Sequence, residues 1–352
     1  MRFRLGVADF LLIFPAACLC LPAALAQLAP STDAPPVSTA PAPQPEQPVA
    51  PTLRIRVNLV DLFFTVKDRS GTLVPHLTQE DCSVIEDQQS QTLKSFTAET
   101  SQPLTLGILL DTSGSQSRVL PREQQAASSF IERVLQPQDE AFLLSFDVNV
   151  DLLQDFTNSA PLLSAALNRA QINTAGGNGA AGIPGAGGGT VPSIGEPRGT
   201  LLYDALSEAA ARKMTQETGR KALLLLTDGQ DQGSRASLRD AIAAAQKSNL
   251  IVYVILIADR SLLGEFDSAP YTAMKKITEE TGGRLIEVGS NVKKLDAAFQ
   301  QIEDELRTQY LASYVSTNPK MDGSFRRISV SCRNDSLKVQ VRKGYFALAA
   351  QY

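Results

Sequence analysis

The stretch Leu104-Thr105-Leu106-Gly107-Ile108-Leu109-Leu110-Asp111-Thr112-Ser113-Gly114-Ser115 is an apolar run that ends in a carboxylate, with hydroxyls two and four residues beyond it. A run of that kind bounded by Gly and Ser reads as a strand buried on both faces, which places Asp111 at its carboxyl end. Ligands of open α/β sheets sit at that edge. The alternation in the turn aims Asp111, Ser113 and Ser115 into one hollow while Thr112 and Gly114 face away. Oxygen donors with a single carboxylate suit a hard divalent cation that keeps part of its water. The competing reading of the same residues is a turn that only caps the next helix.

Two further stretches bear on that choice. Ala222-Leu-Leu-Leu-Leu226-Thr227-Asp228-Gly229 reads as a second buried strand ending in an acid, and Gly199-Thr200 opens an expected amphipathic helix running through Leu201, Leu202, Ala205, Leu206 and Ala209. If the strands are parallel neighbours, all three loops reach the same sheet edge. At this point the chain resembles the von Willebrand factor A domain family, whose metal-ion-dependent adhesion site uses Asp-x-Ser-x-Ser, a Thr and an Asp on three such loops. Asp111, Ser113 and Ser115 match the first loop, Thr200 the second and Asp228 the third. The resemblance covers about residues 104 to 309; more narrowly, the chain looks like the secreted bacterial proteins described as von Willebrand factor A-related.

That resemblance implies a doubly wound, Rossmann-like α/β fold and a divalent cation at the five matched residues, Mg2+ first and Mn2+ or Ca2+ as alternatives. It implies capture of an Asp or Glu carboxylate from a protein partner at an open coordination position, rather than catalysis. It also makes the last helix of the domain, residues 291 to 309, a lever that runs into Tyr310. Asp231 and Asp204 read either as acceptors that orient the ligands or as ordinary charges near a helix start.

The elements between the matched loops alternate as a doubly wound domain requires. Helices are expected at 122–135, 161–170, 238–248 and 271–281, and strands at 141–146, 251–258 and 284–288, with 150–156 as an edge strand. The last helix carries Leu295, Phe299, Ile302 and Leu306 on one stripe, read as core packing. Residues 175–199 hold ten of the chain's twenty-three glycines and read as a long loop, not a phosphate cradle, since no Lys-Ser or Lys-Thr opens the following helix.

Outside this domain the chain changes texture. Residues 1–26 carry Arg2 and Arg4, an apolar stretch and Ala24-Leu25-Ala26, the layout of a cleavable secretory signal. Residues 27–52 hold eight of the chain's twenty prolines and read as an extended spacer. Residues 53–100 and 310–352 are both strand-like: 57–66 and 82–85 at one end, 310–315, 325–332 and 337–345 at the other. Some fifty residues of strand are marginal alone, so the two ends are expected to form one small β-sandwich with the α/β domain, 101–309, inserted between them. After signal removal only Cys82 and Cys332 remain, one in each half. In an exported protein they are expected to form an intrachain disulfide; the alternative is two buried thiols.

The mature chain is mildly acidic and has no basic tract with interleaved aromatics, which argues against nucleic acid, and no apolar stretch long enough to span a membrane. The single histidine, His76, lies in the first β segment, so a Ser-His-Asp arrangement is not available to the α/β domain. No nucleophile elbow, His-Glu-x-x-His or Cys-x-x-Cys occurs. The readings kept open beside adhesion are an assembly protein in which the metal only braces the loops, and a metal-dependent hydrolase. The location expected is export: periplasmic, cell-surface or secreted.

Overall fold

The two apolar runs that end in Asp111 and Thr227 form adjacent parallel strands, and the rest of the chain is laid out around them. The computed structural model describes residues 59–99, 102–172, 199–257, 269–289, 291–333 and 336–348. The expected leader 1–26, the spacer 27–52 and all of the Gly-rich stretch 175–199 except Gly199 lie outside the described residues. In chain order the elements are β1 (Leu59–Lys67), β2 (Cys82–Glu86), β3 (Gln89–Gln91) and β4 (Leu93–Glu99). Then come β5 (Leu104–Asp111), α1 (Leu120–Val134), β6 (Glu140–Phe146), β7 (Val150–Thr157), α2 (Ala160–Arg169), α3 (Leu202–Glu208) and β8 (Arg220–Thr227). They are followed by α4 (Leu238–Lys247), β9 (Ile251–Leu256), α5 (Ala269–Thr281), β10 (Leu285–Glu287) and α6 (Val292–Arg307). The chain closes with β11 (Gln309–Val315), β12 (Phe325–Cys332), β13 (Lys338–Gln340) and β14 (Gly344–Phe346).

The central sheet has six strands in the order β10-β9-β8-β5-β6-β7. All neighbours are parallel except β7, which pairs antiparallel to β6 at the edge. Every residue of β5, β8 and β9 is buried, because helices cover both faces. Leu106, Ile108 and Leu110 pack with α1, α2 and α6; the alternate Leu109 packs with α3, α4 and α5. The α6 stripe Leu295, Phe299, Ile302 and Leu306 is core as expected, with the Phe299 ring tilted against that of Phe130 of α1 at 5.0 Å between centroids. The chain winds from β5 to β6 and β7 on one side, then returns to β8, β9 and β10 on the other. The winding therefore reverses between β5 and β8, where such sheets hold their ligands.

The two ends of the chain make a sandwich of two antiparallel sheets, β13-β1-β11-β4 and β14-β12-β2-β3. The late strand β11 lies between the early strands β1 and β4, and the late strand β12 pairs the early strand β2. Each sheet needs both ends of the chain. Cys82 and Cys332 face each other in the β2–β12 register and are joined by a disulfide.

One expected strand is divided. Residues 337–345 do not run straight: β13 pairs β1 in one sheet and β14 pairs β12 in the other. Strands that cross between sandwich layers must turn a corner, and here Arg342 holds the corner by donating from Nη2 to the Asp61 carbonyl at 2.9 Å. Glu86, one residue beyond the expected strand 82–85, ends β2 and is buried. The turn itself is Asp87-Gln88, both at positive φ.

Candidate metal centre

Asp111 ends β5 and Thr227 ends β8, so the two loops that follow leave neighbouring strands at the point where the winding reverses. The Asp111 carboxylate is 0% exposed. Its Oδ1 accepts from the Ser113 amide at 3.0 Å and its Oδ2 accepts from the Thr227 hydroxyl at 2.6 Å. Ser113 is buried and Ser115 is exposed, with their hydroxyls 3.0 Å apart. Thr112 points away, as the alternation requires, and donates to Asp147 Oδ2 at 2.9 Å. Asp228 is buried, and its Oδ1 accepts from the Gln230 amide at 3.0 Å.

Thr200 differs in detail from the sequence expectation. It does not open the helix. It forms a one-residue bridge with Gln232 of the Asp228 loop, the Thr200 amide donating to the Gln232 carbonyl at 3.2 Å and the Gln232 amide to the Thr200 carbonyl at 2.8 Å. The helix cap is Leu201, whose amide donates to the Asp147 carbonyl at 2.8 Å and whose backbone is not yet helical. Hydrogen bonds therefore close a ring of loops. Thr227 ties the third to the first, Gln232 ties the third to the second, and Asp147 is shared by the first and second. Ser113 makes no side-chain capping bond to the short turn Gly114–Arg118, and α1 is capped by Val119. Ser113 therefore does not act as a side-chain helix cap, while Asp111 and Asp228 each accept a local backbone amide two residues on.

Asp204 and Asp231 hold the third loop onto the start of α3. Asp204 accepts from the amides of Arg235 and Ala236; Asp231 accepts from the Tyr203 amide and the Ser234 hydroxyl. His76 is exposed on the segment between β1 and β2, within the sandwich half of the chain.

The electrostatics are one-sided. Burial, reinforced by the nearby Asp228 charge, lifts the Asp111 carboxyl from 3.8 to about 7. A third acid, Glu123 in the first turn of α1, is also 0% exposed. Burial, then the charges of Asp111 and Asp228, raise it from 4.5 to about 8. Among the described residues no lysine, arginine or histidine is a leading cause of either shift. Among the described residues no three His, Cys, Asp or Glu side chains converge closely enough to hold an ion by themselves. Asp111 with the Asp228 charge acting on it, and the bonded hydroxyls of Ser113 and Ser115, are oxygen donors of the kind that fit a hard cation with retained water, and the backbone bridge to Gln232 holds Thr200 on the adjoining loop. Glu123 was absent from the sequence reading. Its signal is an acid at an inward position of the stripe that continues through Ala126, Ala127, Phe130, Ile131 and Val134.

The five matched positions lie on three hydrogen-bonded loops, at the winding reversal of a sheet with one antiparallel edge. The α/β unit has a von Willebrand factor A-like fold. No family model matches the chain, and no curated protein matches it. Among solved structures the chain is similar to a von Willebrand factor type A protein from Catenulispora acidiphila, at 12% identity over 78% of this chain and 70% of that one, with a TM-score of 0.45. It is similar to the conserved hypothetical protein BatB from Bacteroides thetaiotaomicron, at 17% identity over 58% of this chain and 99% of that one, with a TM-score of 0.41. It is also similar to proximal thread matrix protein 1 from the mussel byssus in a form with a zinc-occupied adhesion motif. That match has 14% identity over 63% of this chain and 49% of that one, with a TM-score of 0.44; the chain thus spans about half the length of the mussel protein.

Proposed function

We propose that the chain is an exported protein-binding module that captures an Asp or Glu carboxylate of a partner through a divalent ion held by Asp111, Ser113, Ser115, Thr200 and Asp228. The observation that carries this reading is a buried pair of acids, Asp111 and Asp228, which no lysine, arginine or histidine among the described residues meets in an ion pair, beside an exposed Ser115. A divalent ion bound there, with few protein charges around it, supplies an electrophilic position open to a carboxylate.

The chain's own residues prepare that position. Thr227 and the Ser113 amide fix both oxygens of Asp111, and the bridge to Gln232 fixes the backbone of Thr200. Because these bonds already hold the three loops to one another, bracing the loops does not require an ion, which favours capture over a purely structural role. The lone histidine lies outside the α/β unit, which favours binding over hydrolysis.

The same proposal covers the rest of the chain: a leader at 1–26, a spacer at 27–52, and the 101–309 module inserted in a sandwich of 53–100 and 310–352. The disulfide supports export, since such bonds persist in oxidising compartments. Among the described residues no helix is long and apolar enough to cross a membrane. The lever role of α6 is also part of the proposal. One residue separates it from β11, and the buried Glu305 in its last turn meets Lys67 of β1, Arg284 and Gln340 of β13.

The test is capture of displayed peptides carrying Asp or Glu, with Asn and Gln counterparts, by the immobilised full chain in Mg2+ and in chelator. Retention of acidic peptides in Mg2+ alone is expected. Equal retention of the amide counterparts, or indifference to chelator, refutes the reading.

A further inference from the structure

Glu123 has no role in the five-residue set, and its surroundings are hard to explain as packing. Both of its carboxyl oxygens are buried and neither has a hydrogen-bond partner. A buried carboxyl whose two oxygens have no hydrogen-bond partner is costly, and burial accordingly favours its protonated form. An acid in the first turn of a helix gains something from the helix dipole, but a residue that served only the helix would sit at the surface, where its charge is hydrated. Glu123 instead faces inward, and the charges that act on it are those of Asp111 and Asp228. It also lines a cavity of about 10 Å3 with Val119, Ile257, Val288, Asn291 and the exposed Arg122; Val119 directly follows the first loop, and the Ile257 amide donates to the carbonyl of Thr227, beside Asp228, at 2.8 Å. That is room for roughly one water.

We propose that Glu123 is a third carboxylate of the cation centre, acting on the ion through a bound water rather than by direct contact. The inference rests on the divalent-ion reading of Asp111 and Asp228. Direct contact is not the mode, because the acids do not converge closely enough to ligate one ion together. Two free oxygens beside a water-sized cavity suit the outer role, in which a carboxylate accepts from a metal-bound water and orients it. Groups in such positions typically tune metal affinity by roughly 10- to 100-fold. Glu123 is a positioning residue in this account. It makes the ion's surroundings more negative than the five matched residues do alone, and the ion gives an acid inside the apolar stripe of α1 a positive charge to face.

The experiment is titration of the chelator-stripped full chain with Mn2+, reading free ion by electron paramagnetic resonance, for wild type, Asp111→Ala, Glu123→Gln and Glu123→Asp. Thermal melts in chelator accompany it. Glu123→Gln is expected to weaken Mn2+ binding about 10- to 100-fold while melting close to wild type in chelator, because the neutral amide has nearly the shape of the protonated carboxyl that burial favours when no ion is bound. Glu123→Asp, which keeps the charge on a shorter stem, is expected to recover part of the affinity. Wild-type affinity in Glu123→Gln, with Asp111→Ala inactive, overturns this inference and leaves the five-residue site standing. Wild type that takes up no Mn2+ overturns the site itself, and this inference with it.

Discussion

Replacing both Cys82 and Cys332 with Ala tests the idea that the two ends of the chain form one cooperative structure. The two cysteines face each other across β2 and β12 and are 250 residues apart in sequence, so the bond closes a loop that contains the whole α/β unit. Chain-entropy arithmetic for a loop of that length gives about 5 kcal/mol at 25 °C, nearly all of it acting on the unfolded chain. For a protein of this size each kcal/mol moves the melting midpoint by roughly 2–4 °C, so the double variant is expected to melt roughly 10–20 °C lower. Calorimetric melting and urea unfolding at fixed divalent-ion content provide the assay. If the α/β unit unfolds first inside an intact sandwich, the sandwich strands still close the loop. The first transition then stays in place and only the second falls. Melts of the variant that superimpose on the oxidised wild type in every transition refute the reasoning.

Glu86 meets the guanidinium of Arg326 at 3.1 Å and accepts from the hydroxyls of Tyr314, Ser316 and Tyr345 inside the sandwich. Glu86→Ala leaves that arginine buried without its counter-charge and is expected to cost about 3–5 kcal/mol, checked by urea unfolding, with Arg326→Met in the same background recovering part of the loss. Burial, working against the pull of the Arg284 guanidinium, lifts the Glu305 carboxyl from 4.5 to about 7. The folded state therefore holds that proton more tightly than the unfolded chain does, and stability falls as pH rises from about 4.5 to about 7. Urea midpoints at pH 5 and pH 7.5 are expected to differ less in Glu305→Gln than in wild type.

Much of the fold was legible in residues 104–111 and 222–228, because strands covered by helices on both faces need apolar side chains at every position. The Asp-x-Ser-x-Ser turn was legible for the same reason: a carboxylate that directly ends such a run must stand at the sheet edge. The sandwich was legible only as two incomplete halves, and the lone pair of cysteines joined them. What was not legible depends on distant partners. Arg326 reads as a surface charge until Glu86, 240 residues away, is beside it. The break at Arg342 depends on the Asp61 carbonyl, 281 residues away. Thr200 followed a Gly and preceded a helical pattern, so it looked like the start of that helix; its pairing with Gln232 belongs to another loop. Glu123 alone had a local signature, an acid on an apolar stripe, but position in the first helical turn supplied an ordinary explanation for it.

The central claim is that the hollow at the ends of β5 and β8 is a divalent-cation site. Isothermal calorimetry of the chelator-stripped full chain with Mg2+, wild type beside Asp111→Ala, tests it most directly. Uptake of one ion by wild type and none by the variant is the predicted result; no uptake by wild type, or equal uptake by both, contradicts the account.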